Sequence, residues 1–322
     1  MKLSKLITYK HMVDGLSVNN VYDKIEQLLQ DVENNLNIQQ IDFENIKHKM
    51  SANKKIILNT LHNIDIDLQN FKQELTKFVT DIEPSYHAKS QQIYEEDCKN
   101  TVGKILDRFL YKKLLYKQET FDFLCNRIKA QASWQWPAMQ IRPAHCDLTD
   151  ALTACDPLYL VDLNKELLTV AETKWTPEYQ RRLRYYTVNE NDKTIFHQLP
   201  QAQLGLIVAV DFFNFRPLKL IEHYLNEFFG LLRPGGVVIF TYNNCDFPTS
   251  VVNFENCYNC YTPGRQIKEI STKIGFHIAS SFDLSDDVAA HKDHMVSWLE
   301  LKAPGTISSF RGGQTLGKIE NI

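Results

Sequence analysis

The stretch LGLIVAVDFFNFRPLKLIEHYLNEFFGLLRPGGVVIFTYN, residues 204–243, decides the fold. An apolar run over 204–212 carries one acid, Asp211, and leads into a helical segment. That segment ends in Leu231-Leu232-Arg233-Pro234-Gly235-Gly236, and a second apolar run, 237–242, follows. Strand, helix and strand in this order make a βαβ unit with parallel strands. Gly235 and Gly236 let the chain leave the helix and re-enter the sheet with φ > 0.

Outward from this unit the alternation continues. Shorter apolar runs lie at 138–141, 158–161 and 183–188, with helical segments between several of them. Gly275-Phe276-His277-Ile278 opens another strand, and 295–301 reads as a last one. From Trp134 onward the pattern predicts an α/β domain around a mostly parallel sheet. Residues 303–322 hold four of the 12 glycines and little apolar content, and read as a flexible tail.

The N-terminal part differs in kind. Between Val18 and Ile82 there is no glycine and no proline. Ile57, Leu61, Ile64, Leu68, Phe71, Leu75, Phe78 and Ile82 recur at alternating steps of four and three, a heptad seam with Leu61, Leu68, Leu75 and Ile82 at a and the others at d. Val21, Ile25, Leu28 and Val32 follow the same rhythm before an Asn-rich joint at 34–40. The seam fits a coiled coil that joins copies of the chain, or a helical hairpin within one chain. Glu83-Pro84-Ser85 is expected to end it, because a proline disfavours helix at the residue before it. Further helices are expected over 90–115 and 119–132, where seven Lys/Arg between Lys104 and Lys129 face three acids. The resulting division is a helical coiled-coil region at 1–84, a helical cap or linker at 85–133, an α/β domain at 134–302 and the tail at 303–322.

Residues 138–168, AMQIRPAHCDLTDALTACDPLYLVDLNKELL, together with 204–243 resemble class I S-adenosylmethionine-dependent methyltransferases. The Leu148-Thr149-Asp150-Ala151-Leu152 run, the Val161-Asp162 strand end, the helix start at 164–168, the Arg-Pro-Gly-Gly turn and the late helix 266–274 with Gly275-Phe276 carry the likeness, which covers about half the chain. It implies a Rossmann-like methyltransferase fold and S-adenosylmethionine as cofactor. It also implies a ribose contact for Asp162, 21 residues beyond Ile141, an adenine contact for Glu190, Asn191 or Asp192, and a cofactor-facing place for Asp211. The departure is the cofactor loop: where the family reads Glu-x-Gly-x-Gly-x-Gly, this chain reads Gln140-Ile141-Arg142-Pro143-Ala144-His145-Cys146. Those glycines let the backbone approach the cofactor closely. Arg142 either fills the space meant for the methionyl part of the cofactor or swings outward, and Ala144 stands at the next glycine position.

No Asn-Pro-Pro-Tyr run and no Pro-Cys pair marks base methylation; Asp211-Phe212-Phe213-Asn214-Phe215 stands there instead. Tyr242, Asn243, Asn244 and Asp246 are candidates to line an acceptor pocket. The seven cysteines are scattered, so a disulfide framework is not expected. The lone Cys257-x-x-Cys260 and the His291/Asp293/His294 cluster lack the rest of a zinc site, so no metal is expected. A net charge of −3 and a pI near 6.4 do not steer the chain to nucleic acid or anionic membrane. The absence of a long apolar run and of a signal-like start reads as a cytoplasmic protein. The expected function is that of a non-catalytic or weakly active methyltransferase-like protein that self-associates through its coiled coil and meets assembly partners. Segments 241–246 and 260–265 resemble methyltransferase-like proteins of tailed phages, which implies a virion setting. The alternative is an active methyltransferase on a small-molecule or protein acceptor.

Overall fold

The computed structural model describes residues 3–14, 27, 44–104, 118–143, 146–256, 259–284 and 296–305. The chain divides into two compact units, Met1–Pro84 and Ser85–Ile322. The earlier seam at Val21–Val32, Ala144, Cys257 and the cluster at 291–294 lie outside the described residues.

The first unit holds α1 (Leu3–Asp14) and most of α2 (Glu44–Lys104). Leu75 and Val79 are buried, Leu58, Leu61, Asp65, Leu68 and Lys72 are half-buried, and the Lys72 ammonium donates to the Asp14 carbonyl at 3.4 Å. The covered line therefore joins the a row to positions four residues on. The d row, Ile57, Ile64, Phe71 and Phe78, stays 38–54% exposed. Within one chain the expected a/d seam is half-used, because the a row lies between its two flanks and cover on one flank leaves the other open. Pro84 does not end the helix as expected: α2 runs through it. Proline removes one donor and crowds the preceding turn, but Thr80, whose carbonyl loses its partner, is exposed and can turn that oxygen to water.

In the second unit α3 (Gln118–Gln131) precedes β1 (Ala138–Ile141). A single 3₁₀ turn (Thr149–Leu152) stands where the resemblance implies a full helix, because only five residues separate Leu152 from β2 (Leu158–Asp162). Next come α4 (Lys165–Glu172), α5 (Pro177–Gln180), β3 (Leu183–Thr187), β4 (Leu204–Ala209), a 3₁₀ turn (Phe213–Phe215), α6 (Leu218–Leu231) and β5 (Leu232–Tyr242). Then α7 (Pro248–Glu255), α8 (Gly264–Ile274), β6 (His277–Leu284) and β7 (Val296–Lys302) complete the series.

The strands form one sheet in the order β3-β2-β1-β4-β5-β7-β6, parallel except for β7, which runs antiparallel to both neighbours. Successive strand residues alternate between two apolar layers. Met139, Ile207, Val238 and Leu299 pack toward Ile221, Phe228 and Ile267; Ala138, Leu206, Ile239 and Trp298 pack toward Leu124, Ile128 and Leu152. Helices thus cover both faces, and the fold is the Rossmann-like methyltransferase fold.

Two details correct the sequence reading, and a third adds to it. Arg233-Pro234-Gly235-Gly236 is a bulge inside β5 rather than a turn before it: Leu204 pairs with Leu232, while Leu206 already pairs with Val237. Only Gly235 has positive φ (73°); Gly236 is needed because a Cβ there would stand 2.8 Å from the Leu204 carbonyl oxygen. The expected tail begins inside the fold, with Ala303 buried and the Pro304 carbonyl accepting from the Gly235 N–H. In the basic segment, Arg127 grips Glu300 with two hydrogen bonds at 2.6 and 2.8 Å, so this cation works inside the unit.

Candidate functional site

Strand order reverses between β1 and β4, and in open α/β sheets the crevice beyond the carboxyl ends at such a reversal is where ligands bind. Arg142 follows β1 directly. Its N–H donates to the Val161 carbonyl at 2.8 Å, its backbone is left-handed at φ 53°, and only 7% of it is exposed. One guanidinium nitrogen donates to the Asp211 carbonyl, beyond β4, at 3.0 Å, and the group lies 5.7 Å from the Phe215 ring centre. The side chain therefore straddles the reversal, and the outward alternative is not the one adopted. Cys146, buried, is left-handed too, at φ 61°. The loop keeps a glycine-like backbone at the first and third glycine positions while carrying side chains there. Gln140, where the family has an acid, accepts from the Thr149 hydroxyl at 2.6 Å, which ties β1 to the first 3₁₀ turn.

Asp162 ends β2 and is 1% exposed. Its Oδ1 accepts the Asn164 N–H at 2.9 Å, and its Oδ2 is sealed from solvent with no hydrogen-bond partner among the described residues. Burial raises its pKa from 3.8 to about 6, against the opposing pull of the Asn164 N–H and of the Arg142 and Arg216 guanidinium groups. Glu190 is committed to Arg216: its Oε1 accepts from the Arg216 Nε and from the Tyr224 hydroxyl, the latter at 2.9 Å. Arg216 is fully buried and stacks 4.5 Å from the Phe212 ring centre. Asn191 and Asp192 close a local turn on Asn189. Asp211, left-handed at φ 53°, enters through its backbone, its N–H donating to the Thr241 hydroxyl at 2.8 Å and its carbonyl accepting from Arg142.

Asp162, Arg142, Glu190 and Arg216 thus form a network of two acids and two cations around the reversal. Sequence reading missed Arg216 and Tyr224. The available signal was an arginine set in the aromatic run Phe212-Phe213-Asn214-Phe215, since a cation in such surroundings requires a partner.

The candidate acceptor residues knit loops together. The Asn243 amide donates to the Ser250 and Cys260 carbonyls, each at 3.1 Å, and Asn244 donates to Ser297 at 2.8 Å. The Asn244 side-chain oxygen accepts the Asp246 and Gly264 N–H groups, and Asp246 takes the Arg265 N–H. Burial pushes the Tyr242 phenol well above its ordinary pKa. Among the described residues no group of three or more His, Cys, Asp or Glu side chains is placed to hold a metal, and no helix is long and apolar enough to cross a membrane.

No protein-family pattern and no curated protein matches the chain. Among solved structures, the N-methyltransferase NodS from Bradyrhizobium japonicum WM9, in complex with S-adenosyl-L-homocysteine, is 13% identical with a TM-score of 0.44, over 56% of this chain and 85% of that one. The putative methyltransferase in complex with the Trm112 activator of Haloferax volcanii is 11% identical with a TM-score of 0.49, over 63% and 97%. An O-methyltransferase family protein from Burkholderia thailandensis is 14% identical with a TM-score of 0.44, over 58% and 56%.

Proposed function

We propose that this chain is a non-catalytic methyltransferase-like protein, in which the α/β domain serves as a packing unit and the N-terminal helices join copies of the chain into an assembly. One observation carries the reading: Arg142 lies across the β1–β4 reversal with its guanidinium on the Asp211 carbonyl. S-adenosylmethionine fits these residues at one end only. The buried, unpartnered Asp162 oxygen suits a ribose hydroxyl. Toward the methionyl end, Arg142 brings a cation to a region that must receive a cationic sulfonium, and on the adenine side Glu190 is held by Arg216 and Tyr224. The exposed d row of α2 supports self-association, and the phage-like segments at 241–246 and 260–265 extend the reading to a virion component, which mass spectrometry of purified particles would test.

A second reading, an active methyltransferase on a small-molecule or protein acceptor, draws on Asp162. A buried ionisable group with one oxygen unsatisfied is costly to fold, and such groups concentrate at functional sites. Titration calorimetry of the full chain with S-adenosylmethionine and S-adenosylhomocysteine separates the two. The first reading expects no heat at millimolar ligand. Micromolar binding abolished by Asp162→Ala would overturn it in favour of the second.

A further inference from the structure

At the amino ends of the strands, opposite the crevice described above, lies a cavity of about 170 Å³ lined by Gln131, Ser133, Trp136, Cys155, Gly205 and Arg233. Arg233 sits in the β5 bulge, whose extra residues re-aim its side chain out of the strand pattern. Its guanidinium carbon lies 3.8 Å from the Trp136 ring centre, a close stack. Glycines build this arrangement. A Cβ on Gly205 would stand 2.7 Å from the Trp136 Cβ, and one on Gly236 would stand 3.0 Å from the Arg233 carbonyl oxygen.

Arg233 differs from the other covered arginines of this unit. Arg127 holds Glu300, Arg142 the Asp211 carbonyl, Arg182 the carbonyls of Ala154 and Cys155, and Arg216 holds Glu190. Arg233 pairs with no carboxylate and no hydrogen-bond acceptor among the described residues, and its Nε is sealed from solvent without a partner. A guanidinium carries five donors and stays charged, so a half-buried one on a cavity wall suits an anion. The other lining groups suit one. The Ser133 hydroxyl accepts the Gln135 N–H at 3.2 Å and keeps its own proton to give, and Gln131 brings an amide. Burial raises the Cys155 pKa, which keeps a competing thiolate out of the cavity, and also lowers that of Arg233, the strain an incoming anion would relieve.

We propose that this cavity is a binding site for a small ligand carrying an oxyanion, a carboxylate or a phosphate monoester, received by the planar fork of Arg233 against Trp136. The site is separate from the crevice at the other end of the sheet and operates whether or not a methyltransferase cofactor binds there.

The test titrates the full-length protein with inorganic phosphate and, separately, with acetate, at ionic strength matched by chloride, read by calorimetry and tryptophan fluorescence. Saturable binding of either is expected, weakened ten-fold or more by Arg233→Gln and unchanged by the distant control Arg265→Gln. Binding of phosphate alone identifies a phosphate ligand, and binding of acetate alone a carboxylate. Arg233→Lys keeps charge and stem but loses the bidentate fork; it is expected to fold and to weaken binding several-fold, so the test stands even where the glutamine variant does not fold. No saturable signal into the tens of millimolar, or wild-type binding in the Arg233→Lys and Arg233→Gln proteins, would overturn the proposal and leave the Trp136–Arg233 stack a packing contact.

Discussion

A left-handed backbone at Arg142 is a conformation that glycine adopts freely and that other L-residues reach only at a cost of about 1–2 kcal/mol. The guanidinium bond to Asp211 offsets this strain in the native protein. Two substitutions separate the effects. Arg142→Ala loses the bond and keeps the strain, whereas Arg142→Gly loses both, so the glycine variant is expected to be the more stable of the two by about 1 kcal/mol. Urea denaturation measures the gap, and equal stability would mean that the loop is not left-handed. The Arg216–Glu190 pair yields a second prediction. Arg216→Met alone leaves the Glu190 carboxylate without its cation and is expected to cost about 3–5 kcal/mol. Adding Glu190→Gln should recover most of that loss in a double-mutant comparison by the same method.

At the scale of elements, α2 presents two rows that differ in exposure. Leu75 and Val79 are covered, while Phe71 and Phe78 remain about half exposed. Phe71→Glu with Phe78→Glu is therefore expected to shift the sedimentation of the full chain toward monomer while leaving its helical circular dichroism unchanged. A wild-type chain that sediments as a monomer would contradict self-association through this row. The five parallel strands β1–β5 were legible because a parallel sheet covered on both faces imposes short apolar runs, and each overlaps the run read for it. The β5 bulge was not legible: Arg-Pro-Gly-Gly suits a turn as well as a bulge, and only the pairing of Leu204 with Leu232 distinguishes them. The continuity of α2 through Pro84 was hidden for a similar reason, since a local penalty does not reveal how much helix stands on either side.

For the molecule as a whole, the site's charges make stability depend on pH. Asp162 has a higher pKa folded than unfolded, so between pH 4 and 6 the native state holds the extra proton and stability falls as pH rises. The full penalty, about 3 kcal/mol at most, is present above pH 6 and absent below pH 4. Asp162→Asn keeps an acceptor for the Asn164 N–H and removes the ionisation. It is expected to match the wild type near pH 4 and to exceed it near pH 7 in urea denaturation, and identical pH profiles would refute the burial of the charge. The positions of Asp162 at the end of β2 and of Asp211 just beyond β4 could be read from the sequence, because strand ends are set by local pattern. The capture of Glu190 by Arg216 could not, because it joins loops 26 residues apart through side-chain geometry alone.

The placement of β7 between β5 and β6 has a consequence for synthesis. β5 is made before β7, so until Val296–Lys302 leaves the ribosome, Val237, Val238, Ile239 and Phe240 have no pairing partner on that side. An apolar strand edge waiting for its neighbour is a template for pairing with other chains. The nascent polypeptide passes through this window each time it is made, and a chain cut short before Val296 never leaves it.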